Sequence, residues 1–344
     1  MSSPVKHSLF HQYAVWLTLA LTASQRLHEK DISPLAAFNS AAHWLLKPSM
    51  LLLPLALITR RWRLASALAY PFSLFVREYG PTLWRSANYT PTKPPAGSFS
   101  LLTFNIHKES DNLAPIFNVI RDAKADIVAL QELGEEACAA IARDLCDEYP
   151  FQALHPYAPF PSAGQGVLSK FPIHADRYWR HEDVHQALGH QRVVLEIHGR
   201  QAALYNLHPV HPGMVGRIFD ARPRHMELDR LLAQIAQDAL PVFMAGDFNL
   251  TDQSDAYRHI TAAYRDAYRE AGRSFMGYTF PDWRYPQSHL FNQDLPLGVV
   301  PLLARLDYVF LGRAFAAVDV EVMPDSGGSD HRPVKAILRW QDSA

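Results

Sequence analysis

The chain of 344 residues is long enough for one large domain or two small ones, and its net charge is only −1. That balance is uneven: residues 1–96 hold ten Lys/Arg against three acidic residues, and residues 97–344 hold 23 against 31. An acidic main part disfavours tight non-specific binding of a polyanion, so nucleic acid is a disfavoured partner.

Cys138 and Cys146 lie eight apart in one expected helix, about two turns or roughly 12 Å, too far for a disulfide. Both are expected to be buried thiols, and neither a redox compartment nor a zinc site follows from them.

Three apolar runs occupy the first quarter: Tyr13–Ser24, Ala36–Thr59 with polar breaks, and Leu64–Phe75. A signal peptide accounts for the first at most. Their clustering, with Trp and Tyr near their ends, predicts two or three membrane helices rather than a soluble helical cap. Arg60-Arg61-Trp62-Arg63 between the second and third belongs on the cytoplasmic side, which places everything after Tyr79 outside. Asn88–Ser98 (NYTPTKPPAGS) reads as a stiff connector. The expected division is therefore an anchor at 1–80, a Pro-rich linker at 81–97 and a main domain at 98–341.

In the main domain, Ser100–Phe104 reads as a strand ending at Asn105. A helix follows over Leu113–Asp122, then a strand, Asp126–Leu130, ending in Gln131-Glu132. A strand, helix and strand within some thirty residues form a crossover with parallel strands, so Asn105 and Glu132 emerge at the same end. Glu135 and Glu136 look like ordinary helix-start residues. Further strands are expected over Gly164–Ile173 and Arg192–Ile197, with a turn at Phe171-Pro172. Ala202–Leu207 is another strand, ending at His208-Pro209-Val210-His211-Pro212. Leu228, Leu231, Leu232 and Ile235 then form a helical stripe leading into Pro241–Leu250 (PVFMAGDFNL).

That apolar strand stops at Gly246 and releases Asp247 and Asn249, two apart and able to project the same way. A carboxylate and an amide fixed there suit a hard metal ion or an attacking water. The second crossover repeats the first, which brings His208 to the same end. His211, Arg217, Arg222 and Arg224 are nearby candidates for holding a phosphate or for a solvated helix face. The aromatic, proline-rich stretch Ser274–Pro301 can wall a cleft or pack on a sheet edge. Asp307 falls inside the apolar strand Ala304–Leu311 and needs a partner. Asp330 and His331 stand just before the last strand, Val334–Trp340, and a histidine oriented by a buried aspartate is a general-base pairing.

Five stretches, TFNIH at 103–107, LQE at 130–132, GDFN at 246–249, RLDYVF at 305–310 and SDHRPV at 329–334, together resemble the endonuclease/exonuclease/phosphatase superfamily with its deoxyribonuclease-I-like fold. The resemblance spans residues 98–341. It implies a four-layer α/β/β/α sandwich of two facing mixed sheets, with a site at one rim that hydrolyses phosphate esters with a divalent metal, usually Mg²⁺. By that resemblance Asn105 and Glu132 are the metal-binding pair, and Asp330 completes the acidic cluster. Asp247 and Asn249 position or deprotonate the attacking water. His331, oriented by Asp307, sits at the scissile phosphate, and His208 stabilises developing charge or protonates the leaving group. Oxygen-only ligation suits Mg²⁺ or Mn²⁺.

The apolar N-terminal segments, RRWR, the Pro-rich connector and HPVHP also resemble a smaller membrane-anchored bacterial branch that acts on envelope or lipid-linked phosphates. The expected protein is thus a monomeric, membrane-anchored phosphoesterase with its catalytic domain outside the cell membrane. A metal-dependent nuclease is the alternative, and a catalytically inert binding module is set aside by the complete set of polar groups.

Overall fold

The apolar runs of the first ninety residues form three helices in a computed structural model that describes residues 9–31, 33–107, 112–215, 218–282 and 303–341. They are α1 (Leu9–Ser24), α2 (Ser33–Ile58) and α3 (Trp62–Ala87). Among the described residues one helix, Pro34–Ile58, is long and apolar enough to cross a membrane. Pro48 and Pro54 lie inside α2, and Pro71 and Pro81 inside α3. Because α3 runs through Pro81 to Ala87, the stretch expected to begin the linker is helical, and the connector starts only at Asn88. Large exposed apolar side chains concentrate on these helices, among them Leu9, Trp16, Leu51, Ile58, Trp62 and Trp84.

One end of the bundle is joined to the rest of the chain. The Tyr79 hydroxyl donates to Asp252 at 2.9 Å, Arg85 Nη2 donates to the Arg269 carbonyl at 3.2 Å, and Trp44 Nε1 donates to the Leu303 carbonyl at 2.7 Å. The other end carries the turn between α2 and α3 with Arg60, Arg61 and Arg63.

The main domain follows in the order β1 (Phe99–Asn105), α4 (Ala114–Ala123), β2 (Ile127–Gln131), α5 (Glu135–Asp144), β3 (Phe151–His155), β4 (Gln165–Ser169), β5 (Ile173–Trp179), β6 (His190–Ile197), β7 (Arg200–Leu207), β8 (Gly213–Val215), β9 (Ile218–Asp220), α6 (Arg222–Ile235), β10 (Val242–Asp247), α7 (Asp255–Thr261), β11 (Arg265–Asp266), α8 (Ala267–Ala271), β12 (Asp307–Leu311), β13 (Phe315–Val322) and β14 (Val334–Trp340). One six-stranded sheet has the order β13-β14-β1-β2-β4-β3 and the other β11-β12-β10-β7-β6-β5. Both expected crossovers form: β1 pairs parallel with β2, and β7 parallel with β10.

The two sheets face each other, because residues two apart on their strands turn apolar side chains inward. Leu101, Ile127, Val167, Leu204, Phe243, Val309 and Leu338 share this central core. Helices α4 and α5 cover the outer face of the first sheet, and α6 and α7 that of the second. The result is the four-layer α/β/β/α sandwich.

Several local readings are corrected. The Phe171-Pro172 turn carries the chain from one sheet to the other, since β4 belongs to the first and β5 to the second. Asp307 is the first residue of β12 rather than an interior one. Cys138 is half-buried on α5, while Cys146 lies beyond the helix end and is exposed; both are free thiols.

Phe243 lies between Phe99 and Phe315, with ring centroids 5.9 and 5.0 Å away, at the centre of the sandwich. Phe243→Ala leaves a cavity that the rigid sheets cannot close, and should destabilise the domain by about 3–5 kcal/mol in urea unfolding.

Candidate active site

Strands from both sheets end at one rim. There β1 ends at Asn105, β2 runs on into Glu132, β7 into His208, and β10 stops at Asp247, while β12 begins there with Asp307 and β14 is preceded by Asp330-His331. Gly246 permits the approach of β10 to β7, because a Cβ at this position would lie 1.8 Å from the Leu207 carbonyl oxygen and its φ is +149°. His107, Glu132 and Asn249 all adopt left-handed backbone (φ +57°, +59° and +51°), a conformation that costs non-glycine residues free energy and is retained where a side chain has to be aimed.

Asp247 is the hub. Its Oδ1 accepts the Asn249 N–H at 2.9 Å, and its Oδ2 accepts Asn105 Nδ2 at 3.1 Å. The same Oδ2 lies 3.4 Å from His208 Nε2 and 3.6 Å from His331 Nε2. Asn105 Nδ2 also donates to Glu132 Oε1 at 3.1 Å, and its Oδ1 accepts the His107 N–H at 3.0 Å. His331 Nδ1 lies 2.8 Å from Asp307 Oδ2, and its ring packs 4.8 Å from that of Phe280. Asn249 Nδ2 donates to the Pro209 carbonyl at 3.1 Å, which leaves Oδ1 as the oxygen it can offer a water. These contacts join seven of the eight residues singled out for the site, and Asp330, next to His331 in the chain, lies close enough to feel the charges of Glu132 and Asp247.

Burial pushes the Asp247 carboxyl up, but the charge of His331 and the hydrogen bond from His208 outweigh it and hold the group at about 2. Burial also opposes the charged form of both histidines, yet each is raised: His331 well above its ordinary value by Asp307 and Asp247, and His208 by Asp247. Asp307 and Asp330 are raised chiefly by burial, against the pull of His331.

Glu132, Asn105 and Asp330 offer hard oxygen donors, and Asp330 Oδ1 is buried with no hydrogen-bond partner among the described residues. An oxygen-only set with an orphaned carboxylate atom fits a hard divalent cation, and beside it Asp247, Asp307 and His331, whose ligand atoms lie within 4.8 Å of one another, form a second group that could hold an ion. Beside Glu132 a cleft of about 230 Å³ is lined by Ile106, His107, Gly134, Glu135 and Pro161. Glu135 and Glu136 occupy the first turn of α5, as expected of helix-start residues.

The phosphate candidates fare differently. Arg222 pairs with Asp220 at 2.7 Å, and Arg224 is fully buried and directed away from solvent. His211 is exposed, with Nδ1 3.0 Å from the Pro212 carbonyl. Arg217 and most of the Ser274–Pro301 stretch, including Trp283 and Tyr285, lie outside the described residues.

Sequence reading missed the groups that hold the rim. Ser329 Oγ donates to the Asn105 carbonyl at 2.7 Å and accepts the His331 N–H at 3.1 Å; its place in the SDH triplet was the available signal. Gln131 Nε2 donates to Asn206 Oδ1 at 2.7 Å, a polar link between the facing sheets. Glu227, fully buried on α6, accepts the Val210 N–H at 2.6 Å through Oε2 and lies 2.8 Å from His190 Nε2 through Oε1. His190 Nδ1 in turn accepts the His208 N–H at 3.4 Å. With Nδ1 an acceptor, Nε2 carries the proton, so the His181, His190 and Glu227 group is a brace for the 208–210 segment rather than a metal site. Glu227→Ala strands the Val210 and His190 donors and should cost about 2–4 kcal/mol in thermal unfolding, with a fall in turnover as His208 loosens.

A family model described as the endonuclease/exonuclease/phosphatase family matches residues 102–331. No curated protein sequence matches the chain. Among solved structures, an endonuclease/exonuclease/phosphatase from Bacteroides vulgatus is 21% identical, with 71% of this chain and 99% of that chain covered and a TM-score of 0.55. One from Beutenbergia cavernae is 20% identical, with 71% and 72% covered and a TM-score of 0.52. D. rerio TDP2, complexed with a single-strand DNA product, is 17% identical, with 70% and 99% covered and a TM-score of 0.56. At these identities the likeness is one of fold.

Proposed function

The chain belongs to the endonuclease/exonuclease/phosphatase family and is a metal-dependent hydrolase of phosphoric ester bonds, and from that premise we propose a monomeric, membrane-anchored phosphoesterase acting on an envelope or lipid-linked phosphate. In this reading Glu132, Asn105 and Asp330 hold Mg²⁺ or Mn²⁺. Such an ion supplies positive charge to the phosphate oxygens. Asp247 and the Asn249 amide oxygen orient the attacking water. His331, fixed by Asp307, and His208 place two ring nitrogens around Asp247, where they stabilise charge developing at phosphorus and pass a proton to the leaving oxygen.

One observation carries the lipid part. Tyr278 stacks on Trp44 of α2 with centroids 5.8 Å apart, and two residues later Phe280 packs on His331. Lys47 of α2 sits 3.3 Å from the Trp44 ring centre. The segment beside the catalytic histidine is thus seated on the middle of α2, the apolar helix whose length would span a bilayer, which supports a substrate reached from the helical region. The orientation follows the same logic. All three helices meet the catalytic domain at the end opposite Arg60–Arg63, so a cytoplasmic arginine cluster puts that domain outside. The acidic catalytic domain supports a substrate other than nucleic acid.

The test offers the full chain in detergent micelles, with Mg²⁺ or Mn²⁺, an isoprenyl pyrophosphate, a generic phosphodiester and plasmid DNA, with His331→Ala as the blank. Phosphate release from the lipid that vanishes in the blank is expected; DNA cleavage alone would replace this reading with an anchored nuclease. His331→Ala should lower kcat by about 10²–10⁴-fold, and a change under tenfold would remove it from the chemistry. Glu132→Ala should abolish the response to Mg²⁺ while the thermal transition stays within a few degrees of the parent.

A further inference from the structure

A guanidinium 1% exposed is costly unless its charge is matched, and Arg224, whose Nε has no partner among the described residues, finds countercharge and acceptors for Nη1 and Nη2 in two different parts of the chain. Nη1 donates to the Asn249 carbonyl at 2.6 Å, and Nη2 donates to Glu29 Oε1 at 3.1 Å. Glu29, in the turn between α1 and α2, is itself 1% exposed. Its Oε1 also meets His225 Nε2 at 2.9 Å, its Oε2 accepts Asn39 Nδ2 at 3.0 Å, and its N–H donates to Asp255 Oδ2 at 2.6 Å. Asn39 Oδ1 in turn accepts the Ser24 hydroxyl at 2.7 Å, so α1 and α2 both hold the carboxylate in place.

We propose that Glu29 is a positioning residue of the active site, acting through Arg224 on Asn249, so that the N-terminal helices complete the catalytic centre as well as anchoring it. The chemistry of the turn explains why. Asn249 is held in left-handed backbone, and its carbonyl points away from the rim toward α6. Its N–H is tied to Asp247 and its Nδ2 to Pro209. Arg224 supplies the remaining tether, on the carbonyl, and the direction of Nη1 depends on the countercharge that fixes Nη2. Glu29, His225 and Asp255 do lie close enough together to suggest a cation site. The guanidinium on Glu29 Oε1 already fills that role, and a second cation would meet its repulsion.

Two measurements on the full-length protein test this. Amide hydrogen exchange comes first, since it needs no substrate. In Glu29→Gln the Asn249 N–H should exchange at least tenfold faster, with Phe243–Ala245 of β10 unchanged. The second is a double-mutant cycle in kcat on a generic phosphodiester with Mn²⁺. Glu29→Gln should lower kcat about tenfold in the parent and less than twofold in an Asn249→Ala background. Unchanged exchange at Asn249, or an equal fall in both backgrounds, overturns the proposal. Should Glu29→Gln not fold, Asn39→Ala removes the Oε2 partner, together with the acceptor of the Ser24 hydroxyl, keeps the Glu29 charge, and is read by the same two criteria.

Discussion

Asp247 and Asp307 stand directly opposite one another on the antiparallel strands β10 and β12, and both are buried. Like charges at such a cross-strand pair repel, and burial compounds the cost. The rim is arranged around that repulsion. His331 enters from the loop before β14 with one nitrogen on Asp307 and the other toward Asp247, while His208 and Asn105 approach Asp247 from two more strands. Each of these groups has a reason to be fixed that exists before any substrate arrives. Rigid placement of charges is what a site needs if it is to avoid reorganisation during reaction. The same unfavourable pair therefore organises the polar groups of the rim.

The polar ends of strands were legible because local sequence encodes them. A short apolar run that stops at a small residue marks both the strand and the direction its last side chains take, which is how Asn105, Glu132, His208 and Asp247 could be placed at one end. Asp307 and His331 were legible as a pair because a buried acid demands a partner and the only nearby motif offered one. The bracing groups left no such trace. Glu227 looks like any acid on an amphipathic helix, and Glu29 like a solvated turn residue, until three-dimensional packing buries them. Strands β3, β5, β8, β9, β11 and β13 were also missed; β3, β5, β11 and β13 are sheet edges, where mixed exposure blurs the period-two pattern.

Proline misled the reading of α3. Pro71 and Pro81 sit inside a continuous helix, as Pro48 and Pro54 do in α2. In a water-exposed helix each would remove a hydrogen bond and favour a break. In a helix packed against neighbours, or in an apolar surrounding, the freed carbonyls are re-satisfied locally and the helix persists. The continuation to Ala87 brings Tyr79 and Arg85 onto the catalytic domain and shortens the free connector. The N-terminal helices therefore pack directly on the catalytic domain through α3.

Glu29 and Arg224 are separated by 195 residues along the chain. At a synthesis rate of about 5–20 residues per second, the carboxylate emerges from the ribosome roughly 10–40 s before the guanidinium it will meet. During that interval α1 and α2 can already be helical while the turn between them still carries a hydrated acid without its guanidinium partner. Burial of Glu29 thus waits for α6 and α7, which carry Arg224, His225 and Asp255, and the ion pair acts as a closing latch on a protein assembled from its N-terminus. A chain that stalls before Arg224 keeps that turn exposed to solvent and to proteases, a natural mark of an unfinished molecule.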